Sequence, residues 1–132
     1  MANQQIVLCD TNIIIEVYKN NPSIVAELKH IGQANIAVSV ITAGELIYGA
    51  INKQELRQIL KDMAHLQLLQ IDDQIGNQFI QLMTDYSLSH NLHLPDALIA
   101  STALHHQIPL YTLNFKDFRF IQRLNLYQPQ VK

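Results

Sequence analysis

Four acidic residues have the types and placement to do chemistry in this chain: Asp10, Glu45, Asp96 and Asp117. Each also has an ordinary structural use. Asp10 directly follows the apolar run Ile6-Val7-Leu8-Cys9, where an aspartate commonly caps a helix or forms an Asx turn. Glu45 ends Thr42-Ala43-Gly44-Glu45, a sequence with the form of a capping box. Asp96 follows Pro95 in the first turn of a predicted helix, where negative charge suits the macrodipole. Asp117, in Asn114-Phe115-Lys116-Asp117-Phe118, suits a turn cap. Brought into one cleft, these carboxylates would repel and raise one another's pKa. A hard cation with oxygen ligands, Mg²⁺ or Mn²⁺, is the simplest relief. Zinc fits poorly, because no cysteine or histidine stands at ligand spacing within this set.

Whether the acids meet depends on the elements that carry them. Ile6–Cys9, Asn35–Val40, Leu66–Ile71 and Pro109–Thr112 have the apolar character of strands, and Leu124–Leu126 is a short fifth candidate. Helical spacing follows Asp10 through Tyr18, and Ser23 is placed to cap a helix running to about Ile31 and closed by Gly32. Further helices are expected from Thr42 to about Ala50, Lys53 to His65, Asp72 to His90 and Pro95 to His106. This alternation predicts one α/β domain over residues 1–132. Its sheet is doubly wound and mainly parallel, with four to five strands flanked by helices. Such sheets bind ligands beyond the carboxyl ends of their strands. Asp10 and Glu45 follow the first two strands, Thr112, Asn114 and Asp117 follow the fourth, and Asp96 opens the helix before it. The pattern therefore predicts a single acidic cleft.

Composition narrows the rest. Of 132 residues, 48% are hydrophobic and 15% charged, as in a globular chain. No apolar run approaches the roughly 18–20 residues that span a bilayer. Residues 1–5 lack a basic n-region and Asp10 breaks the apolar stretch after them, so a cytoplasmic protein is expected. The one cysteine, Cys9, excludes an internal disulfide and a cysteine zinc site. A net charge of −2 is not the footprint of a protein that coats nucleic acid. A polyanionic substrate would need local cations, for which Lys116, Arg119 and Arg123 are candidates, or a bound metal. The six histidines suit surface and capping roles, with His105-His106 near a helix end.

Four segments together carry a resemblance. Val7-Leu8-Cys9-Asp10-Thr11-Asn12, Ser39-Val40-Ile41-Thr42-Ala43-Gly44-Glu45-Leu46, Leu94-Pro95-Asp96-Ala97-Leu98-Ile99-Ala100-Ser101-Thr102-Ala103 and Leu110-Tyr111-Thr112-Leu113-Asn114-Phe115-Lys116-Asp117-Phe118 resemble, in order and spacing, the acid-bearing segments of PIN-domain proteins. The compact length resembles the VapC branch, the toxin ribonucleases of toxin–antitoxin pairs. The resemblance implies metal-ligating or catalytic roles for Asp10, Glu45 and Asp96. The fourth acid is Asp117, or the position is taken by Asn114; Asp117 is favoured, with Asn114 as its hydrogen-bonding neighbour. Thr11, Asn12 and Thr112 would orient the acids. It further implies a Mg²⁺-dependent endoribonuclease (Mn²⁺ as substitute), an RNA substrate, a cognate antitoxin and a homodimer. Ile13, Ile14, Ile47, Tyr48 and Ile51 are either an apolar surface beside the cleft or ordinary core.

Other classes fit less well. A receiver-type signalling domain needs an acid pair at the first strand, where this chain has Asp10 alone. An aspartyl phosphohydrolase needs a second aspartate two residues on, where Asn12 stands. A related fold that binds RNA or protein through a metal-binding acidic pocket, without cutting, is opposed by the intact acid set.

Overall fold

The computed structural model describes residues 5–131. Their strands are β1 (Val7–Cys9), β2 (Ile36–Ser39), β3 (Gln67–Leu69) and β4 (Leu110–Tyr111). Six α-helices connect them: α1 (Thr11–Tyr18), α2 (Pro22–Ile31), α3 (Val40–Tyr48), α4 (Lys53–Met63), α5 (Asp73–His90) and α6 (Leu94–His106). The sheet order is β3-β2-β1-β4, and every pairing is parallel. This is the expected doubly wound α/β architecture. The chain builds outward from β1 to β3 and then crosses back to place β4 on the other side of β1. That reversal puts the ligand-binding crevice outside the carboxyl ends of β1 and β4.

Strand alternation explains why both faces are covered. Val7, Cys9, Ile36, Val38 and Tyr111 face one core, which α1 to α4 complete with Ile13, Ile24, Leu46 and Ile59. Leu8, Ala37 and Leu110 face the other, completed by Leu82 of α5 and by Ile99 and Ala103 of α6. A strand buried on both faces must be apolar at every position, hence the continuous run at residues 6–9. β3 lies at the sheet edge, and its Gln67 and Leu68 are exposed. Among the described residues no helix is long and apolar enough to cross a membrane.

Three local expectations change. Leu124–Leu126 adds one isolated parallel bridge, Leu110 with Leu126, in place of a fifth strand. Arg123 before it has a left-handed backbone (φ 70°), and Pro129 soon after lacks an N–H, so no longer ladder forms. α2 starts one residue before Ser23, at Pro22, with Asn21 as its cap; Gly32 closes it as expected, at φ 90°. Most consequentially, α3 begins at Val40 and not at Thr42. Ser39, at the end of β2, caps it by accepting a 3.0 Å bond from the Ile41 amide. No Thr42–Glu45 capping box exists, so Glu45 is released from that duty.

Ser39→Ala is accordingly expected to cost about 1 kcal/mol. Urea unfolding should show a lower midpoint at unchanged slope. A change below about 0.3 kcal/mol would mean that the cap bond contributes nothing.

At the far end of the chain, buried Glu27 of α2 holds the terminal segment. It accepts from the Tyr127 hydroxyl at 2.5 Å and from the amides of Gln130 and Val131 at about 3 Å. Burial pushes its carboxyl pKa up, but these bonds together outweigh burial and hold it below its ordinary value.

Candidate active site

Asp10 stands at the carboxyl end of β1 in extended backbone and caps α1. Its capping and functional uses coincide. One carboxylate oxygen accepts the Thr11 amide at 2.8 Å, and the other accepts the Thr112 hydroxyl at 2.8 Å. The Asp10 amide donates in turn to the Tyr111 carbonyl at 2.9 Å, so the residue is fixed between β1 and the end of β4. Thr112 is itself buried, and its hydroxyl oxygen accepts from the Asn114 amide at 3.0 Å and from Asn12 Nδ2 at 3.5 Å. One proton given and two lone pairs used exhaust what a hydroxyl can do. The carboxylate is thus aimed before any ligand arrives.

Glu45 lies on the exposed side of α3. The Thr11 hydroxyl donates to its Oε1 at 2.6 Å and stands 2.9 Å from the hydroxyl of buried Thr42. Thr11 and Thr42 therefore tie the start of α1 to α3 and hold Glu45 toward Asp10. Thr42 was not among the expected site residues. Its spacing of three from Glu45 is the available signal, since i and i+3 share a helix face.

Asp96, third residue of α6, is half-buried. Burial pushes its pKa up to about 6, with further upward pressure from Asp10, Asp117 and Glu45, opposed by His93. Asp10 is also raised. Burial is the main cause, Glu45 and Asp117 add to it, and the bonds from Thr112 and Thr11 work against it. Glu45 and Asp117 thus act electrostatically on Asp10, and all three act on Asp96. Asp117 ends a 3₁₀ turn over Phe115–Asp117 and is exposed. Asn114 caps that turn without a side-chain bond, and it is its backbone amide that reaches Thr112.

The donor set for a cation is oxygen only, which suits a hard dication. As the side chains lie, no three His, Cys, Asp or Glu residues among those described are close enough to surround an ion. Asp10 is fixed and Glu45 is held by Thr11, whereas Asp117 is exposed and takes no side-chain bond among the described residues. Mutual repulsion favours the spread arrangement when no cation is bound.

Among the expected auxiliary residues the placement is uneven. Lys116 and Arg119 are exposed beside Asp117. Arg123 instead lines a separate cavity before β4, at the opposite end of the sheet. His93, expected in a surface or capping role like the other histidines, lies three residues before Asp96 in the chain. It occupies the α6 cap position without a capping bond, contacts Asn91 at 3.2 Å, and its charge acts on Asp96. Ile13 and Ile14 are core, but Tyr48 and Ile51 are 92% and 82% exposed and Ile47 is also exposed, just past Glu45 on α3 and after it.

Comparison with known proteins agrees with this architecture. Ribonuclease VapC1 of Rickettsia felis is 30% identical over 127 residues, covering 90% of this chain and 92% of that protein. The crystal structure of VapBC2 from Rickettsia felis, bound to a DNA fragment from the promoter, matches with a TM-score of 0.81 at 27% identity, covering 93% and 98% of the two chains. VapBC-1 from nontypeable Haemophilus influenzae matches with a TM-score of 0.79 at 30% identity, covering 93% and 97%. The family model of the PIN domain spans residues 7–123, from the first residue of β1 past the last acid of the cleft. The chain belongs to the PIN-domain family.

Proposed function

We propose that this protein is a metal-dependent endoribonuclease and the toxin of a VapBC-type toxin–antitoxin pair. The observation that carries the reading is the cleft itself: an oriented Asp10 at the switch in strand order, with Glu45, Asp96 and Asp117 in electrostatic reach. The ribonuclease relative and the toxin–antitoxin structures support it.

Asp10 and Asp96 would hold Mg²⁺ or Mn²⁺, with Glu45 and Asp117 completing the oxygen set. Once bound, such an ion polarises phosphoryl oxygens and lowers the pKa of a coordinated water. The chain's own contribution is positioning. Thr112 and the Thr11 amide keep Asp10 in one rotamer, so no side-chain ordering is spent when RNA arrives. Glu45, kept on the cleft side by Thr11, or Asp117 orients the attacking water or accepts its proton. Lys116 and Arg119 contact backbone phosphates, which a chain of net charge −2 must attract locally.

The exposed Ile47, Tyr48 and Ile51 adjoin Glu45, which suits a partner protein that covers the cleft. In this reading the partner is the cognate antitoxin. A homodimer and a cytoplasmic location complete it.

Purified protein incubated with a panel of RNAs, and with DNA of matching sequence, should cut RNA in Mg²⁺ or Mn²⁺. Excess EDTA should reduce the rate by about 10³-fold or more. Cleavage that persists unchanged in EDTA would defeat the metal-dependent reading, and exclusive cutting of DNA would defeat the substrate. Co-purification with a small protein encoded beside this one would be the expected sign of the antitoxin.

A further inference from the structure

The geometry points to a second ligand site, a nucleotide-binding cavity at the end of the molecule opposite the acids. The cavity lies between α5, the last turns of α6 and the segment 122–125, and encloses about 600 Å³. Small-molecule sites typically measure about 300–1,000 Å³. α6 links the two regions, with Asp96 in its first turn and Gln107 at its carboxyl cap. Eleven residues at about 1.5 Å per residue separate them by roughly 16 Å along the helix.

The lining brings together four chemistries. Leu82, Leu104 and Ile108, with Tyr86, make an apolar floor on which a flat ring can lie. Gln78, Gln81, Gln107 and Asn125 surround it with carboxamides, each able to donate and to accept. This is the side-chain chemistry that reads base edges. Among the described residues Arg123 is the cavity's one cation and Asp85 its one carboxylate. Gln81 Nε2 donates to Asp85 at 3.0 Å, whereas the side chains of Gln78, Gln107, Asn125 and Arg123 take no protein partner among the described residues.

Backbone conformation sets the site apart further. Among the described residues other than glycine, the left-handed region is occupied at Asn20, Asn91, Gln107 and Arg123. Asparagine tolerates that region; glutamine and arginine are disfavoured there. Both disfavoured residues line this one cavity. The helix end explains the conformation of Gln107 but not the choice of glutamine. Around Arg123 the chain is held from both sides: the Gln122 amide donates to the Tyr86 hydroxyl at 3.2 Å, and the Asn125 carbonyl accepts from the Leu110 amide at 2.8 Å.

An apolar floor, a carboxamide rim and one guanidinium match a planar base carrying a phosphate, with the lining's carboxylate, Asp85, engaged by Gln81. A bare anion would leave the floor and the rim unused, and an apolar ligand would strand the rim. The nucleotide is either free or one unit of a bound RNA; only the RNA source rests on the ribonuclease reading.

The test is titration with adenosine 5′-monophosphate in EDTA, followed by NMR or calorimetry, on the parent and on Asp10→Asn. Saturable binding is expected, equal in both proteins. Adenosine alone and inorganic phosphate alone should each bind about tenfold more weakly. Arg123→Asn, which suits the left-handed backbone, and Gln78→Leu, on a helix, should each weaken the monophosphate about tenfold. If the source is RNA, a short oligoribonucleotide displaces the monophosphate and Arg123→Asn raises KM without lowering kcat. If the source is a free nucleotide, the oligoribonucleotide does not compete. Either result supports the site, and binding in a protein that cuts no RNA would uphold the site while ending the ribonuclease reading. Absence of saturable binding up to about 10 mM, or equal affinity in both cavity variants, would overturn the proposal.

Discussion

Asp10→Asn is expected to cut RNA about 10³-fold more slowly than the parent in Mg²⁺, at unchanged secondary structure. That loss corresponds to about 4 kcal/mol of transition-state stabilisation. The substitution changes charge and almost nothing else. The side chain is 5% exposed and confined on two sides, so an isosteric amide occupies the same space. Its oxygen can still accept the Thr11 amide, preserving the α1 cap. Its nitrogen would face the Thr112 hydroxyl, which already accepts from the Asn114 amide and would lose its carboxylate acceptor. One hydrogen bond of about 1 kcal/mol is at stake, offset by the relief of removing a charge from a buried place. Circular dichroism and the melting curve should therefore stay close to the parent's while initial rates collapse. Full activity of Asp10→Asn in Mg²⁺ would remove this residue from the mechanism and the cleft from the proposal.

The architecture was legible because the strands announce themselves by burial on both faces. Val7 and Cys9 point into one core and Leu8 into the other, so no polar residue interrupts the run before Asp10. The placement of Asp10 at the end of β1 follows from that alternation. Partners remote in sequence are harder to read. Thr112 aims Asp10 across 102 positions, a bond that no local pattern announces and that only the family resemblance suggests. The start of α3 differs from the expected Thr42 for a local reason: Thr42-Ala43-Gly44-Glu45 competes with Ser39 for the helix start. Parallel pairing of Ser39 with Leu69 ends β2 there, leaving Ser39 in the extended backbone that a cap requires. The tertiary ladder decided between two adequate local signals. Tyr48 and Ile51 illustrate the complementary gap, since hydrophobicity alone does not tell an interface residue from a core residue.

Asp96→Asn should separate the electrostatics of the cleft from its catalysis. In the metal-free protein burial and the neighbouring acids raise the Asp96 pKa from 3.8 to about 6. Within that window the native state holds a proton that the unfolded chain has released. Stability therefore falls as pH rises from about 4 to about 6, and the full penalty remains at pH 7. Removing the charge should lift the melting temperature at pH 7 in EDTA and leave it unchanged below about pH 4. Because Asp96 is partly solvated, the gain is discounted to on the order of 1 kcal/mol, a shift of a few degrees. One effect opposes it: a negative charge in the first turn of α6 is favourable by about 0.3–1 kcal/mol. That contribution favours the ionised carboxylate, so it shrinks the gain at neutral pH without creating one at low pH. The pH dependence of the difference is thus the decisive reading. Mg²⁺ should then raise the melting temperature of the parent and leave Asp96→Asn nearly unmoved, because only a protein that binds the ion gains from it. A variant that melts no higher than the parent at pH 7 in EDTA would show that the carboxylates are not crowded. An equal Mg²⁺ response in both proteins would place the ion elsewhere.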